Sequence, residues 1–290
     1  MSTPSFGLLL DVDGPLASPI TRKISIPSIT QDLITCASYG IPVIFNTGRS
    51  DTFINEQVVQ PLLEAGFPQE ATMYAVCEKG GTWATITFRG MGKVEIDRDK
   101  AVPQNYIDAA RTLVNNKYSE YMFFDETKYT MVSVEQHEGS DSKEYLQQQK
   151  LYDKDALELF RELGIPASLN DEKSSDEEAE FIIEPTIIST DTQSVKVGKD
   201  VGAQRAVELL KSTHAIPHQW YSVGDSRSDY AMSDWLYENG FDSIFVDVRP
   251  ADGVPEKPYK IVTYDSLSND AAGAKFLQER VADLKSKSNS

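Results

Sequence analysis

Short, almost uninterrupted apolar runs separated by stretches of helical period limit what this chain can fold into. Phe6 to Leu10, "IPVIFNT" from Ile41, "WYSVGD" from Trp220, "SIFVDV" from Ser243 and "YKIVTY" from Tyr259 are such runs. A continuous apolar run, rather than one alternating with polar residues, marks a strand buried on both faces. Between them lie residues 28–39, with Ile29, Leu33, Ile34 and Ala37 at helical spacing before Gly40, and a second helical stretch carrying Phe53, Ile54, Val58, Leu62 and Leu63. Ser50 is placed to cap this second helix, and Pro61 is expected to kink or divide it. Strand, helix, strand, helix predicts an α/β fold with a Rossmann-like parallel sheet as its core.

The rhythm breaks after "MYAVCEKGGTWATITF". Residues 90–190 read instead as a helix near 103–117, a β-rich piece from Tyr129, a long polar helix near 142–163 and the strand "AEFIIEP" from Ala179. The alternation resumes with helices near 200–211, 229–239 and 270–285. This order predicts a core made of residues 1–89 and 191–290, with residues 90–190 inserted as a separate α+β domain. The stretch "NDEKSSDEEAE", residues 170–180, reads as a solvated loop, because its carboxylates lack the fixed turn of a calcium loop.

The 290 residues suffice for a substantial core. The formal net charge is −17, and residues 91–190 alone hold 11 basic and 22 acidic side chains. Such a surface repels nucleic-acid backbones and anionic membranes. No run approaches the ~20 apolar residues of a membrane span, and no signal peptide is apparent. Cys36 and Cys77, the only cysteines, have no metal or redox spacing and read as buried thiols. These features together predict a cytoplasmic protein and do not fix its oligomeric state.

Ligands of an open parallel sheet bind beyond the C-terminal ends of its strands. Three predicted strands end there in polar groups: Asp11 and Asp13 in "LLLDVDGPL", Asn46, Thr47, Gly48 and Arg49 in "IFNTGRS", and Asp225 and Asp229 in "GDSRSD". Carboxylates converging on one edge repel one another unless a cation joins them, and a hard divalent ion such as magnesium suits oxygen ligands. Magnesium points in turn to phosphate. "SVKVGKDVGAQRAVELL" offers Lys196 or Lys199 before a helix whose N-terminus also favours an anion.

In this order the four segments resemble the motifs of the haloacid dehalogenase-like hydrolase superfamily. The inserted α+β domain is similar to the C2 caps of its type IIB subgroup, which includes many sugar-phosphate phosphatases. The resemblance implies that Asp11 is the nucleophile of a phosphomonoester hydrolase and that Asp13 is its acid and base. It implies that Mg2+ is held by Asp11, the Asp13 backbone carbonyl and Asp225, with Asp229 as an outer carboxylate. Thr47, Gly48 and Lys199 would bind phosphate; Lys199 is favoured over Lys196, which lies in an apparent β segment. The expected partner is a small phosphorylated metabolite.

The first motif departs from the family at Pro15, where Thr or Val is usual; proline gives no amide proton and is expected to stiffen the loop. Arg49 is open between gripping substrate and pairing with a carboxylate, whereas Arg227 reads as structural or exposed. His137, His214 and His218 show no ligand spacing, and Trp83, Trp220 and Trp235 read as core. A DxD glycosyltransferase would leave Thr47, Lys199 and "GDSRSD" unexplained. A non-catalytic or switch-like phosphometabolite-binding protein would have no need of both Asp11 and Asp13.

Overall fold

The computed structural model describes residues 3–170, 179–211 and 216–288. The acidic stretch at 170–180 falls largely outside them, as does His214. The chain divides into two compact units, Met1–Glu95 with Gly198–Ser290, and Ile96–Val197.

The first unit is built on a nine-stranded sheet. Its strands are β1 (Gly7–Leu10), β2 (Val43–Asn46), β3 (Met73–Cys77), β4 (Thr82–Thr87), β5 (Gly90–Met91), β6 (Glu95–Ile96), β12 (Gln219–Gly224), β13 (Asp242–Asp247) and β14 (Lys260–Val262). The spatial order is β14-β13-β12-β1-β2-β3-β4-β5, with β6 beside β4. From β14 to β3 every pairing is parallel; β4 and β5 then add antiparallel. The apolar runs are continuous because both faces are covered. Leu8 and Leu10 pack with α1 (Pro27–Ser38) and α8 (Asn269–Ser288) in one core, and Leu9 packs with α6 (Lys199–Lys211) and α7 (Tyr230–Glu238) in the other.

After β2, Ser50 accepts a hydrogen bond from the Phe53 amide at 3.2 Å and caps the next helix, as its sequence position predicts. Pro61 neither divides this helix nor ends it. A π-helical turn, Asn55–Val59, joins α2 (Asp51–Ile54) to α3 (Gln60–Glu64), and Pro61 enters at the start of α3. The wider turn accommodates a residue with no amide proton.

The second unit has a five-stranded sheet ordered β7 (Met122–Phe124), β8 (Val132–Gln136), β11 (Ser189–Ser194), β10 (Phe181–Pro185), β9 (Ala167–Leu169). Helices α4 (Gln104–Leu113) and α5 (Ser142–Glu162) cover one face, with the Tyr106 and Phe160 rings stacked 3.7 Å apart. Its central strand, β11, has the sequence STDTQS and gives no apolar signal. It is held by polar groups instead: Thr190 Oγ1 donates to Asp153 Oδ1 at 2.6 Å, and Ser133 Oγ donates to Asp191 Oδ1 at 2.6 Å. No helix among the described residues is long and apolar enough to cross a membrane.

Candidate active site

The site lies at the C-terminal edge of the parallel strands in the first unit. As β1 ends, the Val12 amide donates to Asp11 Oδ1 at 2.8 Å and fixes the plane of the carboxylate. The chain then turns tightly, with Ala17 N donating to Val12 O at 2.8 Å and Gly14 N to Ala17 O at 2.9 Å. Gly14 is needed twice over. Its φ is +89°, and a Cβ there would lie 2.6 Å from Asp225 Cγ, so the turn brings β1 and β12 close enough to group their carboxylates. Pro15, the departure noted in the sequence, sits against α8: a Cβ on Gly273 would fall 1.8 Å from the Pro15 carbonyl oxygen.

Lys199, in the first turn of α6, is the hub of the site. Its ammonium lies 2.7 Å from Asp11 Oδ1 and 2.7 Å from Asp229 Oδ1, and it donates to the Asn46 carbonyl at 2.8 Å. Of these contacts only the one to the Asn46 carbonyl has hydrogen-bond geometry; the two carboxylates are held as ion pairs. Asn46 also donates through Nδ2 to the Lys199 carbonyl at 2.9 Å. This reciprocal pair needs α6 pressed against β2, and Gly202 permits it, since a Cβ there would fall 2.0 Å from Asn46 Oδ1. Lys196 lies exposed in the turn after β11.

Asp229 is fully buried. Its Oδ2 accepts from the Asp225 amide at 3.2 Å, the Ser226 amide at 3.0 Å and the Ser226 hydroxyl at 2.7 Å. Asp11, Asp225 and Asp229 bring carboxylate oxygens within 4.8 Å of one another. Burial pushes the Asp11 carboxyl well above its ordinary range; Lys199 pulls it back, while Asp229 and Asp13 raise it further. Burial, with the Asp229 charge, pushes Asp225 up to about 6, against the pull of Arg249 and Lys199. Burial works against the Lys199 charge, but Asp11 and Asp229 outweigh it and hold the ammonium above its ordinary value. Three carboxylates crowd one buried ammonium in a small, oxygen-lined space, with Arg249 beside Asp225 at the more exposed side. That donor set fits a hard divalent cation.

The raised Asp225 value has a consequence for stability. A carboxyl whose folded value exceeds its unfolded one binds more protons in the folded state between the two, so the folded state loses stability as pH rises through that window. Without divalent cations, stability is therefore expected to fall between pH 4 and 6, by up to about 3 kcal/mol from this group. Urea denaturation of the wild type and of Asp225→Asn in a chelator checks it: the variant should lack that share of the slope. Equal slopes would refute the assignment.

The second strand contributes Thr47 and Arg49. Thr47 is buried, its amide donates to Val76 O at 3.0 Å and its Oγ1 accepts from the Arg49 amide at 3.1 Å. Arg49 resolves toward a carboxylate: Nε and Nη2 donate to Asp13 Oδ2 and Oδ1 at 2.8 and 3.1 Å. Asn46, which the sequence places at this edge, is the anchor of Lys199. Sequence reasoning missed three residues near the cluster, Arg249, Glu78 and Lys79. Arg249 stands 3.6 Å from Asp225 Oδ2 and 2.9 Å from Asp252. Glu78 and Lys79, after β3, both take left-handed backbone conformations, φ 49° and 54°, each costing about 1–3 kcal/mol for a non-glycine residue. Arg227 donates to the Asp252 carbonyl at 3.0 Å, His137 contacts the Ser119 carbonyl at 2.8 Å, and Trp220 is buried.

This architecture is the fold of the haloacid dehalogenase-like hydrolases. The chain aligns with the C-terminal domain of a Candida albicans trehalose-6-phosphate phosphatase at a TM-score of 0.60 and 12% identity, over 97% of this chain and 93% of that one. A haloacid dehalogenase-like hydrolase from Bacteroides thetaiotaomicron aligns at 0.58 and 13%, over 95% and 99%. A subclass IIB sugar phosphatase of the same superfamily aligns at 0.51 and 14%, again over 95% and 99%. No protein-family model matches the chain, and no curated protein matches its sequence.

Proposed function

We propose that this chain is a magnesium-dependent phosphomonoester hydrolase working through an aspartyl-phosphate. The buried cluster of Asp11, Asp225 and Asp229 around Lys199 carries the reading. Its excess of carboxylates over cations asks for a divalent cation, and Thr47 directly follows Asn46, whose carbonyl accepts from Lys199. Asp11, Asp225 and the Asp13 carbonyl would hold Mg2+, with Asp229 behind them. When bound, the ion would neutralise the repulsion between an anionic nucleophile and an anionic phosphate.

Val12 N and Lys199 both hold Asp11 Oδ1, which leaves Oδ2 without a hydrogen bond from the described residues. That oxygen forms the bond to phosphorus as the ester P–O bond breaks, and Asp13, entering the cycle protonated and released from Arg49, gives its proton to the departing alkoxide. Water then attacks the aspartyl-phosphate, its proton passing to Asp13, and Asp11 is regenerated with release of phosphate. The Thr47 hydroxyl accepts from Arg49 N, so its own proton is available to a phosphoryl oxygen. The Gly48 amide is a second donor on the same loop.

The substrate we infer is a small phosphorylated metabolite, a sugar phosphate in particular. A trehalose-6-phosphate phosphatase domain and a sugar phosphatase align with nearly the whole of this chain. The test is release of inorganic phosphate from a panel of sugar phosphates, nucleotides and phosphoglycerates, with Mg2+ and with a chelator. Turnover with Mg2+ that stops in the chelator is expected. Stable phosphorylation of Asp11 without turnover would mark a switch instead, and no release from any ester would overturn the reading.

A further inference from the structure

Asp225 has a cation of its own. Lys199 pairs with Asp11 and Asp229, whereas Arg249, two residues beyond β13, stands with Nη1 3.6 Å from Asp225 Oδ2. The same guanidinium reaches the other way, with Nη2 2.9 Å from Asp252 Oδ2. One permanent positive charge is thus shared between a carboxylate of the cluster and a carboxylate outside it. On the assumption that the phosphatase reading holds, we propose that Arg249 competes with the divalent cation for Asp225, and that Asp252 sets the strength of this competition by drawing the guanidinium away.

The loop holds both residues in place without the ion pairs. The Arg249 amide donates to Asp247 Oδ1 at 2.8 Å, and the buried Asp247 is held in turn by the Tyr230 hydroxyl, which donates to Oδ2 at 2.7 Å. Two residues after Asp225, Arg227 donates through Nη2 to the Asp252 carbonyl at 3.0 Å, which ties the Asp252 turn to the loop carrying Asp225. Gly253 closes that turn at φ +86°, its amide donating to the Pro250 carbonyl at 2.9 Å. With the backbone fixed at both ends, the choice of partner falls to the guanidinium alone.

The two contacts are unequal. A separation of 3.6 Å is beyond hydrogen-bond length, so leaving Asp225 costs Arg249 no hydrogen bond, while the contact with Asp252 is close. Asp225 is half-buried and Asp252 exposed, so charges beside Asp225 act on one another with less screening by water. Arginine keeps its proton at any working pH. Its charge therefore either moves aside for an incoming cation or repels it, and Asp252 gives it somewhere to move.

Mg2+ alone is the probe, and titration calorimetry at low ionic strength reads its binding without turnover. Arg249→Gln should bind Mg2+ about five- to tenfold more tightly than the wild type, the effect of removing one solvent-screened charge from beside a divalent ion. Arg249→Lys, which keeps the charge, should stay within about threefold of the wild type. Asp252→Asn should weaken binding about threefold, and the same substitution made in Arg249→Gln should change Kd by less than about twofold. Both residues are exposed, so the fold should tolerate each change. An Arg249→Gln protein that binds Mg2+ no more tightly than the wild type would overturn the proposal. So would an Asp252→Asn loss of equal size in both backgrounds, the mark of a carboxylate that acts on the ion through its own charge. If the wild type binds no Mg2+ and hydrolyses no ester in its presence, the phosphatase reading fails and the competition with it. If Mg2+ binds and supports turnover while Arg249→Gln leaves Kd unmoved, only the competition fails.

Discussion

Asp11→Asn should lose phosphate release by on the order of 10⁴-fold or more, the scale of removing a covalent nucleophile. The amide has the shape of the carboxylate but no anionic oxygen to bond to phosphorus, so the loss should appear with every ester the wild type accepts. Folding should survive. The Asp11 carboxyl is raised by burial above its unfolded value, so the ionised form costs stability once pH passes that unfolded value. Asparagine removes that cost, and Lys199 keeps Asp229 and the Asn46 carbonyl as partners. At pH 7 without divalent cations, the variant is expected to unfold at the wild-type temperature or above it. Phosphate release and scanning calorimetry on the same preparation check both halves. A fully active Asp11→Asn would sink the mechanism.

Lys199→Met should have the opposite effect on stability. Methionine fills much of the same space but leaves Asp11 and Asp229 buried beside one another with no counter-charge. Breaking a buried ion pair from one side costs about 3–5 kcal/mol, which for a chain of this size lowers Tm by roughly 6–15 °C. Activity should be lost with it. Lys196→Met, at the exposed neighbour, should shift neither by a measurable amount. If the two substitutions behaved alike, the hub would be misplaced.

Much of the core was legible in the sequence because a parallel sheet covered on both faces demands unbroken apolar strands. Leu8, Leu9 and Leu10 announce it, since adjacent residues point to opposite faces and all three are buried. The second unit was less legible. Its central strand, Ser189–Ser194, is buried through hydroxyls bonded to Asp153 and to neighbouring strands, and no hydrophobic period reports that arrangement. The π turn ahead of Pro61 was hidden for a related reason: proline forbids one hydrogen bond, but the sequence does not say how the backbone will reroute the others.

At the site, the residue types and their places after the strands were read from the sequence. Asp11, Asp13, Thr47, Asp225 and Asp229 each close or follow an apolar run, and strand polarity places all of them at one edge. What the sequence left open was which groups touch. Lys199 and Lys196 are three residues apart with the same chemistry, yet one is locked in the cluster and the other lies exposed; the start of α6 decides between them. Arg49 was even-handed between substrate and carboxylate until its guanidinium met Asp13. Asn46 was placed at the edge without a partner, because its pairing with Lys199 depends on α6 pressing against β2, and Lys79 had no motif to announce it, because its place depends on a left-handed turn after β3. Local pattern determines strands, helices and the chemistry they carry, since it acts through neighbours in the chain. Partnership among charges depends on distances of a few ångströms between segments more than 150 residues apart, as between Asn46 and Lys199, and only packing sets those.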